Sequence, residues 1–256
     1  MNVGSPSRFF PFATGLLVAA MFGPILALLV AVPPGQAFDA FRNGGFGPLQ
    51  VSLAASLCAT ALATLLGVPA GYWLAHCARG LRGPALFALA LPLAFPPVAS
   101  GIMLLHVVGT RSPLGAVLLA HGIPIVDAFP GVVLAEFFVA GSFVAITACA
   151  AFGGLNALPE EAARTLGTSE WRIFARIAMP AALGNLGAGV AFAWLRAIGE
   201  YGATSVLAYH PTSLPVEVYV RLSAAGVTPA LGLCYGFAIL AAAVLGGQWV
   251  LRRRVV

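Results

Sequence analysis

The sequence predicts an all-α integral membrane protein of about six transmembrane helices, with a polar helical hairpin between the fourth and fifth. Three observations carry that prediction. Of the 256 residues 60% are hydrophobic and 8% charged, with a mean hydropathy of +0.97, whereas a soluble domain carries about 25% charged residues. Apolar runs of about 20 residues, the length a helix needs to cross about 30 Å of hydrocarbon, recur along the whole chain. Arginines gather at alternate ends of those runs. No stretch is left for a separate soluble domain, so residues 1–256 read as one membrane domain.

Six runs qualify, at roughly 12–32, 49–75, 84–108, 130–152, 181–207 and 229–251. The first is too long for the apolar core of a signal peptide, and no small-x-small cleavage site precedes Pro33 and Pro34, so it reads as a retained helix. The second leads through a tight turn, 76–83, into the third. Pro92, Pro96 and Pro97 in the third run remove backbone hydrogen bonds and bend or break it. Irregular backbone survives at membrane depth where it is buried in protein or lines a cavity, so Pro96 and Pro97 are candidates for the translocation path; a packing kink is the plainer reading. The fourth run carries Glu136.

In the fifth run Gly189, Ala193 and Ala197 recur every four residues, as do Gly184 and Ala188, giving two faces flat enough for a close neighbour. Arg196 and Glu200 stand one turn apart and can pair. Counted from Pro180 at about 1.5 Å per residue, Glu200 lies about 30 Å along the axis, which suits an outer gate better than a midplane site. Intramembrane charges face a protein interior or a watery route. The pair therefore has two readings, a self-neutralising strut or part of an outer gate with Arg196 available to an anion. The chain ends a few residues after the sixth run, which predicts no regulatory domain there.

With the N-terminus inside, the inner segments hold Arg8, Arg79, Arg82, Arg164, Arg172, Arg176, Arg252, Arg253 and Arg254, and the outer ones hold Arg42, Arg111 and Arg221. That bias puts both termini in the cytoplasm. Outer segments 33–47, 110–128 and 208–228 read as Gly/Pro-rich connectors. The net charge of +5 comes from arginine alone, at span ends, without the aromatic-interleaved basic stripe that nucleic acid requires. Cys58, Cys77, Cys149 and Cys234 lie far apart and read as small apolar residues, with no disulfide or metal framework. His76, His106, His121 and His210 are scattered singly, and none is assigned a metal or proton-transfer role.

The long polar inner segment, 156–180, reads as two short helices about a glycine. Pro159 suits a first helical position, and Glu160 and Glu161 favour the positive end of the helix dipole. Gly167 supplies a left-handed stop. Thr168 or Ser169 then caps a second helix through Arg176 whose apolar side is Trp171, Ile173, Phe174 and Ile177.

Glu161, Ala162 and Ala163, then Gly167 after three residues, Ile177 after nine more and Pro180 behind Met179 reproduce a known spacing. The segment resembles the EAA loop of ABC importer permeases, with Met179 where leucine is usual, a volume-conserving exchange. The resemblance implies that this hairpin is a coupling helix seated in an ATPase subunit: Ala162 and Ala163 allow close approach, Gly167 sets the elbow and Glu161 offers charge. The string RAIGEYGAT at 196–204, with LPLAFPPVASG, RSPLG and SLPVEVY elsewhere, resembles the permeases for molybdate, tungstate and related oxyanions. Glu136, where a neutral polar residue is more familiar, and a short AYHPTSLP connector depart from that pattern. A phosphonate or another small solute is the alternative cargo.

By that resemblance the chain is a transport subunit and not an enzyme. Its partners are cytoplasmic ATPase subunits, an extracytoplasmic substrate-binding protein, a second permease copy and the bilayer of a bacterial or archaeal cell (inner) membrane. A P-loop needs a lysine to reach the phosphates, and the sequence has none. ATP and Mg therefore belong to the separate ATPase, and no cofactor is expected here. An ion-coupled secondary transporter would show corresponding broken helices in two halves, and no internal repeat is visible. An intramembrane enzyme would need a nucleophile with its base, or a metal set such as HExxH, and neither is present.

Overall fold

The computed structural model describes residues 9–77 and 79–255, with backbone alone for Arg79 and residues 251–255. Arg8 and the side chains of Arg79, Arg252, Arg253 and Arg254, all used in the charge count, therefore lie outside the described set. Among the described residues every element is helical.

Helix α1 (Phe9–Ala31) is followed by α2 (Pro34–Ala40) and a wide turn, Phe41–Gly45, that opens into α3 (Phe46–His76). Next come α4 (Arg79–Ala94), α5 (Pro97–Val108), α6 (Pro113–Ala120) and α7 (Phe129–Gly153). The hairpin holds α8 (Leu158–Thr165) and α9 (Glu170–Ile173), and α10 (Met179–Ile198), α11 (Gly202–Leu207), α12 (Leu214–Ala225) and α13 (Val227–Val255) complete the chain. Among the described residues five helical stretches are long and apolar enough to cross a membrane, or six when the bent α4–α5 pair counts as one span.

The core is a three-helix sandwich of α3, α7 and α10 built mostly from alanine and glycine. Ala63 and Val68 of α3 meet Ala140, Val144 and Ala148 of α7, and Ala182, Leu186, Ala193 and Ala197 of α10 close the other side. Inside a bilayer, water does not drive helices together, so tight van der Waals contact must. The sequence supplies it with residues that have little or no side chain. A Cβ built on Gly71 would sit 2.5 Å from Ala148 Cβ and 2.7 Å from the Cys149 nitrogen. Gly67 faces Val144 in the same way, so α3 and α7 run parallel and in contact over several turns.

On α10 it is the Gly189, Ala193, Ala197 face that packs. Ala193 and Ala197 are buried, and a Cβ on Gly189 would lie 2.6 Å from Thr147 Oγ1. Gly184, on the second small-residue face, has nothing within 4 Å. Helix α1 is peripheral and apolar around its circumference, as a lipid-facing helix must be. Tyr235 of α13 holds its end by donating to the Val32 carbonyl at 2.8 Å.

The run at 84–108 breaks as its prolines predicted: the chain turns through 108° between Gly80–Ala94 and Pro97–Val108, because Pro96 and Pro97 in succession remove two adjacent N–H donors. Three expectations need correction. The run at 181–207 also breaks, since α10 stops at Ile198 and α11 restarts at Gly202. Segment 208–228 is more than a connector, for it contains the twelve residues of α12, closed by an ion pair between Glu217 and Arg221. Finally, the second arm of the hairpin is not a separate helix ending at Arg176. It passes through a π turn at Phe174–Ala178 straight into α10.

Candidate functional site

Two places in the fold gather the polar residues of an otherwise apolar chain. The first is the junction of the two broken helices. Pro97 opens α5 and Gly202 opens α11, and a Cβ on Gly202 would fall 2.6 Å from Pro97 Cβ and 2.9 Å from the Val98 nitrogen. The ends touch because glycine leaves room for the proline ring. Pro96, the residue before, is extended (φ −55°, ψ 136°) and sets the direction of α5.

Glu200 lies in the break just past α10. Its Oε2 pairs with Arg196 at 2.6 Å, and its Oε1 accepts the Ala203 N–H at 3.0 Å. The one-turn pairing expected from the sequence is thus made, although Glu200 sits in the break and not within a continuous helix. The acid is 1% exposed, while the Arg196 side chain is 40% exposed. The cation therefore opens on a free face while its counter-ion is locked inside. Glu136 of α7 is equally buried, within electrostatic reach of Glu200, and its Oε2 has no hydrogen-bond partner. Ser100 on α5 and Thr204 on α11 add buried hydroxyls at this junction without partners among the described residues. Buried polar groups in settled structure are nearly always paired, so this junction carries unused hydrogen-bonding capacity.

The second place is the hairpin. Gly167 has φ +77°, the left-handed stop anticipated from the sequence, and the Thr168 N–H donates back to the Ala163 carbonyl at 3.0 Å. Glu161, Ala162 and Gly167 are exposed on α8 and its elbow, Ala163 is buried, Ile177 is half-buried and Pro180 is exposed. The expected apolar side of the second arm divides. Ile173 and Phe174 face inward, whereas Trp171 is 70% exposed and stands with Leu166 at 84% on the outside of the hairpin.

What the sequence did not reveal is how the hairpin is anchored. Glu160, expected merely to favour the helix dipole, is 3% exposed. Its Oε2 accepts from Tyr72 Oη at 3.0 Å, lies 3.0 Å from His76 Nε2 and accepts from Arg164 at 3.3 Å. His76 thus has a role that its isolation in the sequence concealed. Arg164 also reaches Glu170 at 2.7 Å, joining the two arms. That hydrogen bond, first among the causes, pushes the guanidinium pKa further up. Tyr72, Phe152, Phe174 and Trp171 continue as a row of ring contacts beneath.

Comparison with known proteins places this arrangement in a family. The model for binding-protein-dependent transport system inner membrane components matches residues 67–250. A protein of Haloferax volcanii described as a probable molybdenum ABC transporter permease is 35% identical over 92% of this chain and 89% of its own. The sulfate transport system permease protein CysW of Synechocystis is 31% identical over 93% and 92%. Among solved structures, a bacterial ABC transporter involved in import of the polysaccharide alginate shares the fold with a TM-score of 0.65, at 18% identity and 96% coverage of both chains. With a family model spanning most of its length and relatives aligned nearly end to end, the chain belongs to the binding-protein-dependent transport system inner membrane components, and is a permease subunit of an ABC importer rather than an enzyme.

Proposed function

We propose that this permease carries a small tetrahedral oxyanion of the molybdate, tungstate or sulfate type across the cell membrane. The observation that carries the proposal is the near full-length similarity to the molybdenum-type permease of Haloferax volcanii. The junction adds physical support. Arg196 is a permanent cation at the meeting point of two broken spans, and broken helices frame substrate sites in membrane transporters. An anion would compete with Glu200 for the guanidinium. The existing pair keeps that attraction modest, which suits a route that must release what it binds. In this reading Arg196, Glu200, Pro96 and Pro97 form the outer gate.

The remaining parts belong to the same reading. An extracytoplasmic binding protein delivers the anion, two permease copies face each other around the path, and both termini lie in the cytoplasm with the hairpin. Glu161, Ala162, Ala163, Gly167, Trp171, Ile177 and Pro180 make up the coupling element. Exposed Trp171 and Leu166 offer the ATPase subunit, which carries ATP and Mg, an apolar seat, and Glu161 offers charge. No cofactor is assigned to the permease.

Two measurements test this. Reconstituted in proteoliposomes with its ATPase and binding protein, the complex is expected to accumulate labelled molybdate or sulfate only when ATP is enclosed; uptake driven by an ion gradient without nucleotide would overturn the reading. Gly167→Val forces a β-branched residue into a left-handed backbone at a cost of about 1–2 kcal/mol. It is expected to weaken ATPase assembly and transport-linked hydrolysis together. Unchanged values of both would remove the coupling role.

A further inference from the structure

We propose that Glu160 makes the hairpin a lever, tying α8 to the cytoplasmic end of α3 through Tyr72 and His76. The proposal rests on the reading of the hairpin as the ATPase-coupling element. The covalent attachments are to α10, into which the second arm runs through the π turn, and to α7, which the first arm follows across residues 154–157. Backbone alone does not join the hairpin to α3. The attachment to α3 bridges 88 residues of sequence and consists of side chains converging on one buried carboxylate oxygen, Tyr72 Oη at 3.0 Å, His76 Nε2 at 3.0 Å and Arg164 at 3.3 Å. Because α3 is packed along α7 through Gly67 and Gly71, anything that moves the end of α3 moves that pair. With Glu160 in place the hairpin is tied to all three helices of the core, α3 as well as α7 and α10.

His76 completes the anchor from the α3 side. Its Nδ1 lies 2.8 Å from the Tyr72 carbonyl oxygen one turn earlier and its Nε2 lies 3.0 Å from Glu160 Oε2, so the ring bridges the end of α3 to α8.

The test uses the full complex in proteoliposomes and reads anion uptake per ATP hydrolysed. Glu160→Gln is expected to leave ATPase binding and hydrolysis in place while lowering the ratio about fivefold, the scale of a modest coupling between sites. His76→Gln, which can still donate to Glu160, is expected to keep a working ratio. Tyr72→Phe, which removes a single hydroxyl, serves as the mild variant if Glu160→Gln folds poorly, and a lowered ratio in it supports the lever. A Leu166→Cys cross-link separates the two layers. Failure to capture the ATPase would sink the coupling reading itself. Capture of the ATPase together with wild-type ratios in both Glu160→Gln and Tyr72→Phe would sink the lever alone.

Discussion

Arg196→Ala is expected to lower stability by about 3 kcal/mol, the low end of the range for stripping a buried charge of its partner. The size follows from the asymmetry of the pair. Arg196 is partly open and loses little by going, but Glu200 is left 1% exposed with the Ala203 N–H as its remaining hydrogen bond. Arg196→Ala combined with Glu200→Gln is expected to regain most of the loss, because glutamine keeps the bond to Ala203 and carries no charge. Thermal unfolding of the purified protein in detergent checks both values. A single variant as stable as the wild type would mean that Glu200 is not held by Arg196 in the membrane domain.

The double variant also decides between the two readings of the pair. A strut that merely cancels its own charge can be replaced by a neutral pair with no effect on transport once stability is restored. A gate cannot, since both the guanidinium that meets the anion and the carboxylate that competes with it are gone. Wild-type uptake by the folded double variant would return the pair to structure. Folded protein with intact ATP hydrolysis and lost uptake would establish the gate.

Much of this architecture is legible in the sequence because the bilayer imposes simple rules on it. Apolar run length, arginine bias and the hairpin spacing are local properties, and they locate the spans and the protruding loop. Breaks within spans are harder to see. The 181–207 run is apolar on both sides of Gly199–Tyr201, so run length passes over the point where the helix stops. The local signal was Gly199 and Gly202 bracketing a charged residue and a tyrosine. In 208–228 the prolines suggested a connector, whereas Pro215 near a helix start and the four-residue spacing of Glu217 and Arg221 marked α12. The anchoring of Glu160 was invisible for a different reason. Nothing within α8 distinguishes Glu160 from Glu161, and the difference lies in partners on α3 that only the fold brings near.

Gly71→Leu is expected to abolish accumulation of folded protein. Even a methyl group at this position would meet Ala148 Cβ at 2.5 Å and the Cys149 nitrogen at 2.7 Å, with the Ala145 carbonyl at 2.9 Å. Two of those three atoms are backbone, so no side chain can swing aside, and α3 and α7 must separate along their length. Overpacking of this kind usually costs about 1–3 kcal/mol and should exceed that range for leucine, because parting the helices forfeits every alanine contact around it. Gly71→Ala is expected to fall within the range and give a folded, less stable protein. Gly23→Leu on α1, where nothing lies within 4 Å, is the control and should change stability by no more than about 0.5 kcal/mol. Fluorescence-detected size exclusion with a thermal ramp reads all three. In a membrane the helices gain their preference for each other from closeness alone, so the order control, alanine, leucine is a direct measure of it, and a Gly71→Leu protein indistinguishable from the control would contradict the parallel α3–α7 contact on which both the hairpin anchor and the junction depend.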